Sequence, residues 1–145
     1  TVDDFAVLHP GGDIGKKLLR IEDVMHRGDQ VPRVAPERAI RDVVHEMNRK
    51  RLGMTTVVDG GGRLLGLISD GDLRRQMVEH GDRLFARTAE QCMTPRPLTI
   101  GRTQLATAAL ALMEQRRITS LPVVDEGGVV EGVVHLHDLW QTEMI

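Results

Sequence analysis

The apolar positions of this chain follow one pattern twice, with the second copy displaced by 66 positions. In each copy, four apolar residues recur at the i, i+3, i+4, i+7 spacing that predicts one buried face of a helix. They are Ile40, Val43, Val44 and Met47 in the first copy, and Ala106, Ala109, Leu110 and Met113 in the second. Duplicated halves usually pack about a pseudo-twofold axis and form sites between them, so the pattern favours a binding module.

Two short apolar runs follow the predicted helix in each copy, and Asp and Gly clusters between them indicate hairpin turns. The runs span 55–58 and 64–69 in the first copy, and 121–124 and 129–135 in the second. A second helix is predicted to begin near Asp70 and again near Leu136, and short segments at Val34 and 98–100 could add a strand. The predicted fold is α/β (α+β), with the order β-α-β-β-α twice.

These repeats predict a division into a leading segment at 1–20, a first repeat at 21–80, a linker at 81–88 and a second repeat at 89–143. A repeat of roughly 60 residues alone would bury only about 60% of its unfolded surface. We therefore expect the two halves to share a core and to pack sheet to sheet. Upstream of the hairpins the offset becomes 68, so the first copy carries two extra loop residues near His26.

Composition narrows the possible partners of this chain of 145 residues, whose formal net charge is −2 and whose aromatic content is 2%. Such a chain has no global attraction to nucleic acid or acidic membranes, and it has few rings to stack on bases. No apolar run approaches the roughly 20 residues of a membrane span. The lone Cys92 suits a reducing compartment. We therefore expect a cytoplasmic protein that binds neither nucleic acid nor membrane.

The first helix of the second copy is predicted to be apolar on more than one face, because Leu105, Ala108 and Leu112 add to its stripe. This surplus predicts burial between halves or subunits, and a homodimer or tetramer.

Candidate chemistry lies where the last strand of each copy turns into its last helix. Ser69 and Asp72 stand there in the first copy, and His135 and Asp138 in the second, each after a glycine in the strand. A hydroxyl at a helix N-terminus suits a phosphate, a carboxylate three residues later can accept both hydroxyls of a ribose, and the glycine lets a ligand approach the backbone. The alternative is a capping box, in which Ser69 and Asp72 satisfy only backbone donors.

The order of these motifs resembles a tandem pair of CBS domains over residues 21–141. The resemblance rests on Asp23-Val24-Met25, on 91–95, on 118–125 and on the two segments from glycine to aspartate. It implies that a nucleotide binds between the halves, where Ser69 meets phosphate and Asp72 meets ribose. The second copy keeps Asp138 but carries His135 where the hydroxyl would be.

The segment from His9 to Leu19, near the start of the sequence, resembles the junction after the sugar-isomerase domain of bacterial D-arabinose 5-phosphate isomerases. Segments 69–75 and 135–139 are also similar to the CBS pair of that family. The resemblance implies a parent enzyme that interconverts ribulose 5-phosphate and arabinose 5-phosphate, on the way to Kdo and lipopolysaccharide. It implies that His9 belongs to the catalytic site of a domain preceding Thr1. This chain alone is expected to have no isomerase activity.

Two sets of cations end the first helices, at 49–51 and at Arg116-Arg117. They either complement the helix dipole or clamp a phosphate of the other copy's site. His26 is either a solvated loop residue or a pocket residue. No metal is predicted, because His135 and His137 lie at i and i+2 of a strand end and point to opposite faces. The predicted ligand-binding residues are Ser69, Asp72, Met54, Thr55, Arg74, His26, Arg116, Ser120, His135 and Asp138.

The implied pathway suggests CMP-Kdo, a nucleotide sugar, as a feedback ligand, with ribose for Asp72 or Asp138 and phosphate for Ser69. Arg74, Arg116 and Arg117 are candidates for an arginine fork that would bind its sugar carboxylate. The absence of Tyr and the small number of other aromatic residues leave little to sandwich a purine. The alternatives are an adenine-nucleotide sensor for AMP or ATP, and a purely structural oligomerisation module.

Overall fold

The computed structural model describes residues 18–142, so His9 and all of its junction before Leu18 lie outside the described residues. The first copy contains α1 (Ile21–Val24), β1 (Arg33–Val34), α2 (Ile40–Lys50), β2 (Met54–Val58), β3 (Leu64–Ser69) and α3 (Asp70–His80). The second contains α4 (Ala89–Cys92), β4 (Thr94–Pro95), α5 (Ala106–Arg116), β5 (Ser120–Val124), β6 (Val130–His135) and α6 (Leu136–Gln141). Short 3-10 helices occupy Gly28–Gln30 and Gly81–Ala86.

The predicted mixed α/β class is confirmed, and the β-α-β-β-α core appears in the first copy. Strands β1 to β4 form one sheet in that order, with β1 and β2 parallel and the other neighbours antiparallel. Strands β5 and β6 form the second sheet. The predicted strand at 98–100 is reduced to one parallel bridge between Ile100 and Val123.

The apolar stripes form the buried faces of α2 and α5, as the periodicity predicts. Each helix ends at an arginine with left-handed backbone, Arg51 at φ 61° and Arg117 at φ 55°. Their backbone N–H groups donate to the carbonyl oxygens of Met47 and Met113 respectively, which closes the last turn. The two helices therefore end in the same way, 66 positions apart.

The two copies exchange their leading segments, which the sequence pattern did not predict. Strand β4, from the second copy, pairs with β3 of the first, and His26 of the first copy pairs with Val133 of the second. The leading helices cross over as well. Ile21 of α1 lies in the core around α5, and Ala89 of α4 lies in the core around α2. Each copy thus completes the hydrophobic core of the other, and the expectation of shared packing is confirmed.

Two strand glycines leave room for the backbone of the exchanged segments. This finding corrects the expectation that these glycines let a ligand approach the strand. A Cβ on Gly66 would lie 2.8 Å from the carbonyl oxygen of Thr94, and one on Gly132 would lie 2.6 Å from that of His26. Both distances are shorter than real Cβ contacts allow. The strands need glycine because the exchanged backbone lies directly against them.

The two sheets pack against each other through a buried apolar cluster, as predicted. The cluster draws Met54 and Val58 from the first sheet and Val130 and Val133 from the second. The hairpin loops also pair with each other: Leu64 donates to the Gly128 carbonyl at 2.9 Å, and Val130 to that of Gly62 at 3.0 Å. This packing leaves the strand-to-helix junctions facing clefts between the copies.

Candidate functional site

The larger of two clefts between the copies has a volume of about 770 Å³. One wall comes from the start of β2 and the β3–α3 junction, and the other from β4 and the segment between α5 and β5. Its lining comprises 52–54, Leu67, 69–72, Arg74, Arg75, Thr94, 96–98, 117–120 and His135. A cavity of this size is within the range of sites for nucleotide-sized ligands.

Ser69 and Asp72 form a reciprocal capping box at the floor of this cleft. The Ser69 N–H donates to Asp72 Oδ2 at 2.8 Å, and the Asp72 N–H donates to Ser69 Oγ at 3.2 Å. Asp72 is only 8% exposed, and its Oδ1 accepts from Thr94 Oγ1 at 3.3 Å and pairs with Arg75. The predicted cap therefore exists, and it holds the carboxylate at the cleft wall.

Arginines dominate the charge of the larger cleft, where Arg74, Arg75, Arg96 and Arg117 face two aspartates, Asp70 and Asp72. Arg75 pairs with Asp72. Among the described residues, no ion pair engages the guanidinium groups of the other three arginines. The cleft is therefore electropositive and suits an anionic ligand.

Arg96 enters the cleft with a left-handed backbone, at φ 47°. This conformation is uncommon for a residue with a Cβ, and its counterpart 68 positions earlier is Gly28, at φ 59°. An arginine therefore occupies a backbone position that the first copy gives to glycine. Strain of this kind clusters at ligand sites.

The smaller cleft, of about 390 Å³, is the pseudo-symmetric counterpart of the larger one. Its lining comprises His26, Arg51, Leu52, Thr119, 135–138 and Trp140. His26 Nε2 lies 2.8 Å from Asp138 Oδ2, and that oxygen also accepts from the His135 N–H at 3.2 Å. The carboxylate equivalent to Asp72 therefore contacts an imidazole, and the Asp138 side chain is 21% exposed, against 10% for Asp72.

His135 lines both clefts and caps α6 in place of a serine. Its Nδ1 accepts from the His137 N–H at 3.1 Å, which places the ring proton on Nε2. Burial lowers the pKa of His135 below the ordinary value of 6.5, and nearby His137 and His26 lower it further, while Asp138 raises it. The ring is therefore neutral at pH 7, with Nε2 as its donor atom.

The larger cleft brings together Met54, Ser69, Asp72, Arg74, Ser120 and His135 from the predicted binding residues. The smaller cleft holds His26 and Asp138, together with His135. Two predicted residues line neither cleft. Thr55 is buried and donates to the Thr56 carbonyl oxygen at 3.0 Å. Arg116 lies outside both clefts, and its neighbour Arg117 lines the larger one.

Arg75, Arg96 and Thr94 line the larger cleft without having been predicted. A signal for Arg96 existed, because the offset of 68 aligns it with Gly28 and so with a turn position. Within residues 18–142, no cluster of three or more His, Cys, Asp or Glu side chains is arranged to hold a metal ion. No helix in the same range has the length and apolar character needed to cross a membrane.

Comparison with known proteins identifies the family to which this chain belongs. The sequence profile of the CBS domain matches residues 21–79 and 89–139. The chain is 43% identical to arabinose 5-phosphate isomerase KdsD from Salmonella typhi over 146 aligned positions, which cover 100% of this chain and 44% of that protein. The chain therefore spans less than half the length of this curated relative.

Solved structures of CBS pairs share the fold. CBSX2 in complex with AMP has a TM-score of 0.76 at 22% identity, with coverage of 87% of this chain and 96% of that one. The CBS domain pair of MJ0100, in complex with 5′-methylthioadenosine and S-adenosyl-L-methionine, has a TM-score of 0.76 at 19% identity, with coverage of 86% and 94%. Both profile matches and the shared fold show that the chain belongs to the CBS domain family and carries the domain as a tandem pair.

Proposed function

We propose that this chain is a regulatory module that binds one anionic, ribose-bearing ligand in the larger cleft. The observation that carries the proposal is the joint presence there of a capped carboxylate, a helix N-terminus and arginines without an ion-pair partner among the described residues. Asp72 would accept the ribose hydroxyls, and Ser69 with the first turn of α3 would meet a phosphate. Met54, Arg74 and Ser120 would line the bound ligand.

The similarity to KdsD supports a place for this module beside a sugar-phosphate isomerase domain. The parent enzyme would interconvert ribulose 5-phosphate and arabinose 5-phosphate in the cytoplasm, on the route to Kdo and lipopolysaccharide. His9 would then belong to the catalytic site of that domain. The module itself would contribute regulation.

CMP-Kdo is the ligand that we favour, because it pairs a ribose and a phosphate with a sugar carboxylate. Three arginines of the cleft, Arg74, Arg96 and Arg117, are available for the two anionic groups. An arginine fork binds a carboxylate through two parallel hydrogen bonds. Neutral His135 would donate to the ligand through Nε2 at the same wall.

An adenine nucleotide is the second candidate, and the complexes of CBSX2 and MJ0100 with adenosyl ligands favour it. The larger cleft has aliphatic side chains, Leu52, Leu67 and Ile118, that could enclose a purine. A purely structural role is the third candidate. It draws support from α5, where Ala108 is exposed and Leu105 and Leu112 are half-buried.

Calorimetric titration of the chain with CMP-Kdo, CMP, AMP and ATP separates these candidates. We expect CMP-Kdo to bind more tightly than CMP, because only the sugar carboxylate engages the arginine fork. AMP or ATP binding at least tenfold more tightly than CMP-Kdo, a gap of about 1.4 kcal/mol, would establish an energy sensor instead. No binding at millimolar concentrations of all four would leave the structural role.

Assembly is a separate part of this proposal. The half-exposed apolar residues of α5 predict a homodimer or tetramer, which would bury them against a second copy. Sedimentation should therefore show a species heavier than the 16.1 kDa monomer at tens of micromolar protein. A monomer alone under those conditions would contradict the assembly.

A further inference from the structure

The two clefts differ at one pair of equivalent side chains that touch the capped carboxylate. In the larger cleft, Thr94 Oγ1 lies 3.3 Å from Asp72 Oδ1. In the smaller cleft, the residue 68 positions earlier is His26, whose Nε2 lies 2.8 Å from Asp138 Oδ2. A small hydroxyl thus stands beside one carboxylate and a full imidazole beside the other.

The imidazole of His26 is fixed from several directions. Its Nε2 lies 2.8 Å from Asp138 Oδ2 and its Nδ1 lies 3.3 Å from Gln30 Oε1, so each ring nitrogen faces an oxygen atom. The backbone of His26 donates to Val133 at 2.8 Å and accepts from it at 3.0 Å. By contrast, the Arg75 side chain that pairs with Asp72 is 72% exposed, so a ligand can displace it at little cost.

The anchor of this imidazole explains the extra residues of the first copy. Gly28 and Arg96 share left-handed backbone at an offset of 68, whereas Val34 and Ile100 align at 66. The two additional residues therefore fall within 29–33, next to that turn. Gln30, which contacts His26 Nδ1, belongs to this longer segment. The longer segment of the first copy thus supplies the contact to His26 Nδ1.

Further differences between equivalent residues make the smaller cleft less suited to binding a phosphate. His135 replaces the hydroxyl of Ser69, and His137 stands where the larger cleft has Gly71. Trp140 occupies the position equivalent to Arg74. The smaller cleft has therefore lost an arginine and gained side-chain volume at the junction where the larger one is open.

We propose that His26 is a built-in plug that occupies the ribose position at Asp138, so that each chain binds a single nucleotide-type ligand, at Asp72. This inference rests on the proposed function and extends it to stoichiometry. The plug gives the duplicated fold one open site and one closed site. Thr94 is the residue that keeps the first site open.

Exchanging the two residues tests the plug. Calorimetric titration with CMP-Kdo, and with AMP as a second probe, should give one equivalent per unmodified chain. Thr94→His should place an imidazole against Asp72 and weaken binding at least tenfold, with little change in the urea unfolding midpoint. Thr94→Ser is the matched control and should retain affinity within about threefold.

A second pair of variants tests whether the closed site can be opened. His135→Ser alone should bind no more than one equivalent, because His26 remains in place, and it should bind that equivalent more weakly, because His135 also lines the larger cleft. His26→Thr combined with His135→Ser should bind a second, weaker equivalent, since both features of the first site are then restored. A second equivalent in His135→Ser alone, or none in the folded double variant, would overturn the plug.

The outcomes separate this inference from the proposed function. Two equivalents per unmodified chain would overturn the plug and leave nucleotide binding standing. Unchanged affinity in folded Thr94→His would do the same. No binding of either probe to the unmodified chain at millimolar concentration would overturn both.

Discussion

The first copy places Ser69 and Asp72 at its strand-to-helix junction, and the second places His135 and Asp138 at the equivalent positions. In both, the aspartate accepts from the backbone N–H three residues earlier, at 2.8 Å in the first copy and 3.2 Å in the second. The capping interaction is therefore common to the two copies. What differs is the lining of the two clefts: the larger has four arginines and Thr94, whereas the smaller has one arginine, Arg51, with three histidines and Trp140.

The aspartate therefore has a structural reason to be present in both copies, and it can serve a ligand only where its surroundings permit. A capping aspartate alone is therefore a poor guide to a binding site. The neighbouring charges and the residue opposite the carboxylate decide the function.

The largest expected effects are losses of stability at the two glycines against which the exchanged segments lie. Gly66→Ala and Gly132→Ala should each lower the free energy of unfolding by about 3 kcal/mol, because the added Cβ meets the backbone of the exchanged segment. Gly60→Ala is the control, since nothing lies within 4 Å of a Cβ there. Urea unfolding measures all three. An effect at only one of the two buried glycines would break the symmetry described for the fold.

The next effect separates cap from ligand contact at Asp72. Asp72→Asn should weaken nucleotide binding by about 1.5–3 kcal/mol, roughly ten- to hundred-fold, through loss of a charge-assisted hydrogen bond. The loss of capping should cost about 0.5–2 kcal/mol of stability. Asp138→Asn, measured by the same calorimetry and urea titration, should show only the stability loss. Equal affinity in wild type and folded Asp72→Asn would leave Asp72 with the cap alone.

A smaller effect distinguishes adjacent arginines at the end of α5. Arg117→Gln should weaken binding of an anionic ligand by about 1 kcal/mol, roughly fivefold, because Arg117 lines the cleft in partly exposed surroundings. Arg116→Gln should leave affinity unchanged, since Arg116 lines neither cleft. The difference should shrink as salt rises, because salt screens exposed charges. The reverse order of effects in calorimetry would contradict the placement of the cleft.

The smallest effect is a pH dependence of stability from the second copy. The pKa of His135 is lowered in the folded chain, so the unfolded chain binds its proton more readily. The stabilisation is complete above the ordinary pKa of about 6.5 and is lost as pH falls below it. His135→Asn, which keeps a capping side chain, should flatten the change in urea midpoint between pH 7.5 and 5.5. Identical pH dependence in both proteins would contradict the shift.

Periodicity was enough to predict the main helices and hairpins, because their buried faces recur at the spacing of each element. The segment from Ile40 to Met47 and the run 64–69 fall inside the observed elements, and the run 129–135 begins one residue before β6. The exchange of leading segments was not predictable in this way. Strand β4 has only two residues, so its pairing with β3 depends on tertiary packing, such as that of Met93 against Gly66.

The candidate site was predictable in part for a similar reason. Ser69, Asp72 and Arg74 lie close together in sequence, so a local motif identifies them. The contact between His26 and Asp138 joins residues 112 positions apart, and no local pattern indicates it. The sequence predicts Arg116 as a binding residue and offers Arg117 only for the phosphate clamp and the carboxylate fork, because it does not reveal which arginine adopts the left-handed backbone.

We expect the two equivalent junctions to differ in function, and NMR titration of the labelled chain follows both junctions at once. Gly71 and His137 are equivalent residues, 66 positions apart, one in each cleft. We expect addition of CMP-Kdo to the ¹⁵N-labelled chain to shift the Gly71 amide until one equivalent is bound, while the His137 amide shows only a small shift transmitted through His135, which accepts from that amide and lines both clefts. Comparable, saturating shifts at both amides, or a shift at His137 alone, would contradict the account.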